Sequence, residues 1–238
     1  MAKDGAHIRY KKKDGTIVPG VTTVLGVLAK PALIHWAWKL GTEGKDYRKV
    51  RDDKADIGTG THYMILCHLR GAEPDLSDYT KNQIDAMENA MLSFLEWEKQ
   101  HPHTPVMVET PLVDEEYEYG GTPDLVTQIN GGIDLIDFKT GKGIYDEMVY
   151  QLAAYKHLVE NTKDITIARC RILRIGRDES EGFEEKVCTN VSKEWLIFED
   201  CLSIYTTKKM IKDERKEVRN DRNGTKKGRG DSTDRERR

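Results

Sequence analysis

Up to Pro105 the apolar positions recur every three to four places, and beyond it they gather into short runs broken by turn residues. The first pattern predicts helices. A short hairpin comes before them, Ile8-Arg9-Tyr10 and Thr16-Ile17-Val18 about a turn at Asp14-Gly15. Thr22 or Thr23 is placed to cap a short helix reaching Ala29, and Pro31 opens a second that carries Leu33, Trp36, Ala37 and Leu40. A third is expected from about Lys54 to Leu69, stopped by Gly71. A fourth runs from Thr80 to about Gln100, with Ile84, Met87, Met91, Phe94 and Leu95 along one stripe. The second pattern predicts strands over Val106–Leu112, Gly121–Val126 and Ile133–Phe138, the last two joined through Asn130-Gly131-Gly132. A helix over about Asp146–Val159, a strand over Ile165–Ile175, its hairpin partner over Gly182–Val191 and a helix from Ser192 to about Ile211 complete the order. No internal repeat is present.

Composition narrows the class. Of 238 residues, 37% are apolar and 33% charged, which is enough for a core but leaves part of the chain outside it. Residues 208–238 hold 13 Lys+Arg against 7 Asp+Glu, net +6, which leaves 25 against 34, net −9, on residues 1–207. Beyond Val218 no large apolar side chain occurs and Asn223-Gly224 and Gly228-Arg229-Gly230 oppose a helix, so disorder is expected from about 220. This basic end reads either as a solvated terminus or as a tether to nucleic acid. No apolar run approaches a membrane span, and Met1-Ala2-Lys3-Asp4 opens no signal peptide. Cys67, Cys170, Cys188 and Cys201 lie far apart, without a C-x-x-C pair. Secreted mini-protein, membrane-protein and zinc-ribbon classes are excluded, and a cytoplasmic location is expected.

The chemistry gathers where charged side chains interrupt apolar strands. Asp124 follows Gly121-Thr122-Pro123, while Asp137 and Lys139 flank Phe138 at the end of an apolar run. Strand periodicity sets Asp137 and Lys139 on one face, about 6–7 Å apart. Antiparallel pairing through the Asn130-Gly131-Gly132 turn lets Asp124 and Asp137 converge. Two such carboxylates repel unless a divalent cation joins them. At least one pKa should therefore be raised, and neutralising Asp124 should leave the metal-free protein at least as stable as before. An ammonium beside that cation suits metal-assisted phosphodiester hydrolysis. The bland alternative is a turn aspartate plus an edge-strand ion pair.

Pro123-Asp124, twelve intervening residues and Asp137-Phe138-Lys139 resemble the PD-(D/E)XK nuclease motif letter for letter. Four other D/E-x-K triplets occur (Glu43 to Lys45, Asp52 to Lys54, Glu184 to Lys186, Glu214 to Lys216), and none ends an apolar strand beside a partner aspartate. Gln151 and Tyr155, at i and i+4, resemble the Q-x-x-x-Y helix of the RecB-type branch, which faces DNA; the alternative is an amphipathic helix with Tyr155 packed on the sheet. Gly58-Thr59-Gly60-Thr61-His62 resembles that branch's G-x-x-x-H stretch, which brings a histidine to the metal; a helical histidine can also be an ordinary surface residue. Val21-Thr22-Thr23-Val24-Leu25-Gly26, Lys30-Pro31-Ala32-Leu33 and Trp36 resemble the opening of phage-borne RecB-type exonucleases. Glu109 matches an acidic position of many relatives and could bind a second metal or pair with a basic neighbour.

The resemblance covers about residues 15–205 and implies an α/β fold, a central mixed sheet flanked by helices with a helical N-terminal arm. It implies one nuclease domain over 1–207, with the arm and motif-I helix in 15–104 and the catalytic core in 105–207. Residues 208–238 are then a basic helix end and disordered tail. It implies a Mg²⁺-dependent DNA exonuclease, with Mn²⁺ able to substitute. Asp124, Asp137, the Phe138 backbone carbonyl and His62 would ligate the metal, with Glu109 as a further ligand. Lys139 would orient or help activate water, and Gln151 and Tyr155 would position DNA. DNA is the expected partner, together with a separate recombination or replication protein, and no membrane. Some RecB-type nucleases hold an iron–sulfur cluster, but the cysteine spacing departs from that pattern and none is expected. Gly141-Lys142-Gly143 lacks the remainder of a phosphate-binding loop, so no ATPase half is expected. The alternatives are a catalytically inactive nuclease fold serving DNA binding or assembly, and a dimeric restriction enzyme.

Overall fold

The computed structural model describes residues 9–230. Ile8, at the start of the expected hairpin, lies outside them. The rest of that hairpin forms: Lys11 bridges Ile17, and Gly15 takes φ +87° at the turn.

Helices α1 (Val21–Leu25), α2 (Pro31–Thr42), α3 (Tyr47–Leu69) and α4 (Lys81–Gln100) precede the sheet. Helix α1 is shorter than expected and is entered from Gly20; Thr22 and Thr23 lie inside it, where their carbonyls accept from Gly26. Helix α3 starts a full two turns before Lys54, because the Asp46 carboxylate accepts from the Arg48 and Lys49 amides and caps it. Thr80 caps α4 through a reciprocal box with Gln83, an arrangement worth about 1 kcal/mol.

The main sheet has five strands in the order β1 (His103–Val108), β4 (Leu125–Ile129), β5 (Gly132–Lys139), β6 (Arg169–Ile175), β7 (Phe183–Cys188). β1, β4 and β5 pair antiparallel. Helix α5 (Asp146–Thr162) then crosses over to make β6 parallel to β5, and β7 returns antiparallel. A separate two-stranded sheet, β2 (Leu112–Asp114) with β3 (Tyr119–Gly121), falls where longer runs were expected. Asp114 explains the break: its Oδ1 accepts from the Glu116 and Tyr117 amides, both at 2.9 Å, and turns the chain. β6 and β7 are likewise shorter than their predicted runs. The last helix, α6 (Ser192–Gly230), extends well past Ile211, so the tail expected from about 220 is helical backbone as far as Gly230. Residues 231–238 lie outside the described residues.

Alternation along the strands builds two cores. Val126, Leu135, Cys170 and Ile172 face α1, α5 and α6, whereas Leu125, Ile136, Phe138 and Leu173 face α3 and α4, against Ile65, Phe94 and Trp97. Burying side chains of this size contributes roughly 1.5–3 kcal/mol each. The α/β fold with a mixed central sheet and helical arm is therefore present. Among the described residues no helix is long and apolar enough to cross a membrane.

Candidate active site

The period of β5 puts Phe138 and Asp137 on opposite faces. Phe138 points into the α3–α4 core, edge-on to Phe94 at 5.6 Å and to His62 at 5.9 Å between ring centroids. Asp137 and Lys139 point to the α5 side. Asp124 stands just before β4, and its Oδ2 accepts from the Phe138 amide at 2.7 Å across the strand pair. Its backbone carbonyl accepts from the Glu109 amide at 2.9 Å. Glu109 adopts φ +41° as β1 ends, which turns its carboxylate inward.

Helix α3 delivers His62. Gly58, one turn earlier, touches the chain leaving β5: a Cβ there would lie 3.1 Å from Thr140 Oγ1. Gly60 leaves room for the Met87 side chain beneath it. Both glycines let α3 approach closely, and His62 Nδ1 comes to 3.5 Å from Asp124 Oδ1. One ligand atom each from His62, Glu109 and Asp124 lie within 4.8 Å of one another. Among the described residues Glu109 makes no ion pair; burial and then Asp124 raise its pKa against the opposing pull of His62 and Arg70.

The two aspartates differ. Burial works against the Asp124 charge, but His62, Lys139 and the Phe138 amide outweigh it and hold the pKa below the usual carboxylate range. For Asp137, burial first and then Asp124 prevail over Lys139, and its pKa rises to about 6. Asp137 thus carries the raised pKa expected of two adjoining carboxylates. Burial lowers the His62 pKa, yet Asp124 reverses this and raises it. Burial also opposes the Lys139 charge, but Asp137 and Asp124 raise its pKa, so it stays an ammonium.

The Lys139 ammonium lies against Asp137 Oδ2. A buried carboxylate paired with an ammonium, beside a His/Glu/Asp group, is a donor set that suits a hard divalent cation. Asp134, also buried on β5, is satisfied by Arg169 Nε at 2.8 Å and Arg171 Nε at 2.5 Å and is structural.

Gln151 and Tyr155 share one face of α5, and Gln151 Nε2 donates to the Tyr155 hydroxyl at 3.0 Å. Tyr155 is packed in the core over Gly121, where a Cβ would come 2.6 Å from its Cε1. Burial, then Asp137 and Asp124, push its pKa well up, which places the hydroxyl in the field of both carboxylates. Only Gln151 of the pair is partly exposed. One contact had no sequence signal beyond its glycines. Tyr10 packs over Gly20 and Gly120, and its hydroxyl meets Thr122 Oγ1 at 2.9 Å, bracing the Thr122-Pro123-Asp124 turn.

The profile of the PD-(D/E)XK nuclease superfamily matches residues 44–232. No curated protein matches the sequence. Solved structures to which this chain is similar include LHK-Exo in complex with dAMP (TM-score 0.44, 11% identity, 68% of this chain and 84% of that one). A second structure of this alkaline exonuclease from Laribacter hongkongensis has TM-score 0.42 and 11% identity, over 68% and 84% of the two chains. A third, SSO0001, has TM-score 0.32 and 16% identity, over 61% and 74%. With its family profile spanning most of the chain, and Asp124, Asp137 and Lys139 at the strand positions described, the protein belongs to the PD-(D/E)XK nuclease superfamily.

Proposed function

We propose that this protein is a divalent-cation-dependent deoxyribonuclease that degrades DNA from an end. The convergence of His62, Glu109 and Asp124 beside the Asp137–Lys139 pair carries the reading. His62, Glu109, Asp124, Asp137 and the Phe138 carbonyl would hold Mg²⁺ or Mn²⁺. Once bound, the cation supplies neutralising charge at the scissile phosphate and lowers the pKa of water.

The chain's own groups do the rest. Lys139 remains protonated and so has no lone pair for a proton; it orients the attacking water and stabilises charge growing on the phosphate. The Phe138 amide fixes Asp124, which in turn orients His62. Gln151 contacts DNA with its amide held by Tyr155, making Tyr155 a positioning residue. Action from an end is supported by the likeness of the Gly58–His62 stretch and the Gln151/Tyr155 pair to RecB-type exonucleases. A separate recombination or replication protein would deliver the ends, and the cytoplasm of a bacterial or phage-infected cell would be the setting.

Purified protein is to be incubated with end-labelled linear and covalently closed circular duplexes, in Mg²⁺, Mn²⁺ or EDTA. Loss of the linear DNA alone, and only with a cation, is expected. Cleavage of the circle would make it an endonuclease of the restriction type. Binding without any cleavage would identify an inactive DNA-binding or assembly module, a reading favoured only by the −9 charge of residues 1–207.

A further inference from the structure

Three cations from three elements meet beside the site. Lys54 belongs to α3, Lys142 to the turn after β5 and Arg177 to the loop after β6. The contact of Gly58 with Thr140 lays α3 against the turn that carries Lys142. Strands β5 and β6 are parallel, with Lys139 opposite Arg174, so the chain leaving β6 brings Arg177 to the same end of the sheet. Lys54 is one helical turn before Gly58 and two before His62, on the same side of α3 and about 12 Å along its axis from His62.

These charges are not neutralised locally. Among the described residues none of the three has a carboxylate within ion-pair distance. The nearby acids are engaged elsewhere: Asp53 Oδ1 accepts from Gln83 Nε2 at 2.9 Å, and Glu181 Oε2 accepts from the Arg177 backbone amide at 3.2 Å and lies 4.0 Å from Arg174. Lys54 registers the excess, since burial, then Arg177 and Lys142, lower its pKa against the weaker pull of Asp53 and Glu181. Arg177 is half-buried, and its backbone amide is tied to Glu181 within the loop. Like charges gathered at such a point repel unless an anion sits among them.

We propose that Lys54, Lys142 and Arg177 form a binding subsite for an internal phosphate of the DNA strand, distinct from the phosphate that is cleaved. This rests on the nuclease reading of the site. With Lys54 two helical turns before His62, the subsite is placed to hold a neighbouring nucleotide and set the strand's approach. It also answers the charge of residues 1–207: the acidic body carries its positive field at the mouth of the site, where a polyanion must enter.

The probe is a short duplex with hydroxyl ends, which offers internal phosphates only. Its affinity is measured by fluorescence anisotropy in EDTA over a salt series, so no cleavage intervenes. Lys142→Gln and the triple variant Lys54→Gln/Lys142→Gln/Arg177→Gln should bind more weakly, the triple with a log K against log salt slope smaller by about 0.7–0.9. Arg177→Lys should retain more affinity than Arg177→Gln, and in Mg²⁺ the KM of the variants should rise more than kcat falls. Folded variants with wild-type affinity and slope would overturn the subsite, as would equal losses for Arg177→Lys and Arg177→Gln. Lys142 is exposed, so its single variant decides the matter should the triple fail to fold. Failure of the wild type to cleave any DNA would instead overturn the nuclease reading, since binding in EDTA is read independently.

Discussion

The Asp124 carboxylate accepts the Phe138 amide at 2.7 Å, so the acid of one strand is locked to the backbone of the next, between Asp137 and Lys139. The bond stabilises one charge of the aspartate pair, while the other, on Asp137, lies against the Lys139 ammonium and is opposed by burial. The two residues should therefore respond oppositely to neutralisation. In EDTA near pH 7, Asp124→Asn loses a charge-assisted bond and should cost about 1.5–3 kcal/mol. Asp137→Asn should be no less stable than wild type, because its ionised form is disfavoured by burial. Thermal melts of both variants check this; equal destabilisation would mean the two aspartates share one structural role.

Cation binding to this donor set should be visible as stability. Mg²⁺ that binds only the folded site adds about 2.7 kcal/mol at one hundred times Kd. The melting point of the wild type should rise with Mg²⁺, and the rise should shrink in His62→Ala and Glu109→Gln. A full Mg²⁺ response in Glu109→Gln would remove Glu109 from the ligand set.

The Gln151–Tyr155 bond separates packing from positioning. Tyr155→Phe keeps the ring over Gly121 and gives up one hydrogen bond, at about 0.5–1.5 kcal/mol. Its cleavage defect should lie mainly in KM and should not exceed that of Gln151→Ala. Gly121→Ala, by contrast, drives a methyl toward Tyr155 Cε1 and should destabilise by about 1–3 kcal/mol. Denaturant melts with kinetics on one DNA substrate distinguish these outcomes.

Away from the site, His157 stacks on Trp195 at 3.6 Å, 3.2 Å from the Tyr119 hydroxyl and 3.8 Å from Asp114. Burial lowers its pKa despite Asp114, so the unfolded chain takes up a proton more readily than the folded one. Stability should therefore fall as pH drops below about 6.5, the ordinary histidine value. The difference in melting point between wild type and His157→Gln isolates this group. That difference should move against the wild type on going from neutral to acidic pH; a movement the other way would mean Asp114 dominates.

The sheet strands that carry the aspartates were legible because their apolar runs end on charge: Asp137 and Lys139 close one run, and Asp124 follows a Gly-Thr-Pro turn. The β2–β3 hairpin was not, since three-residue strands have no period to read and the acid stretch Glu115-Glu116-Tyr117-Glu118 looks like a plain loop. Residues 47–53 show no apolar stripe because most of that part of α3 faces solvent, so only the Asp46 cap could have announced it. The inward turn of Glu109 depends on a left-handed backbone and a bond to the Asp124 carbonyl, neither of which a side-chain pattern encodes. The uneven sharing of charge between Asp124 and Asp137 likewise required the Phe138 amide to be placed.

The central claim is that Asp137 and Lys139 act with a cation to cut DNA, and it is tested most directly by nucleotide release from end-labelled linear DNA in Mg²⁺. Wild type, Asp137→Ala and Lys139→Ala are compared at equal concentration, each first shown to be folded by its melt. The wild type should release nucleotides in Mg²⁺ and none in EDTA, and both variants should lose at least about 10²-fold in rate. Full activity in either folded variant, or a wild-type rate indifferent to EDTA, would contradict the account.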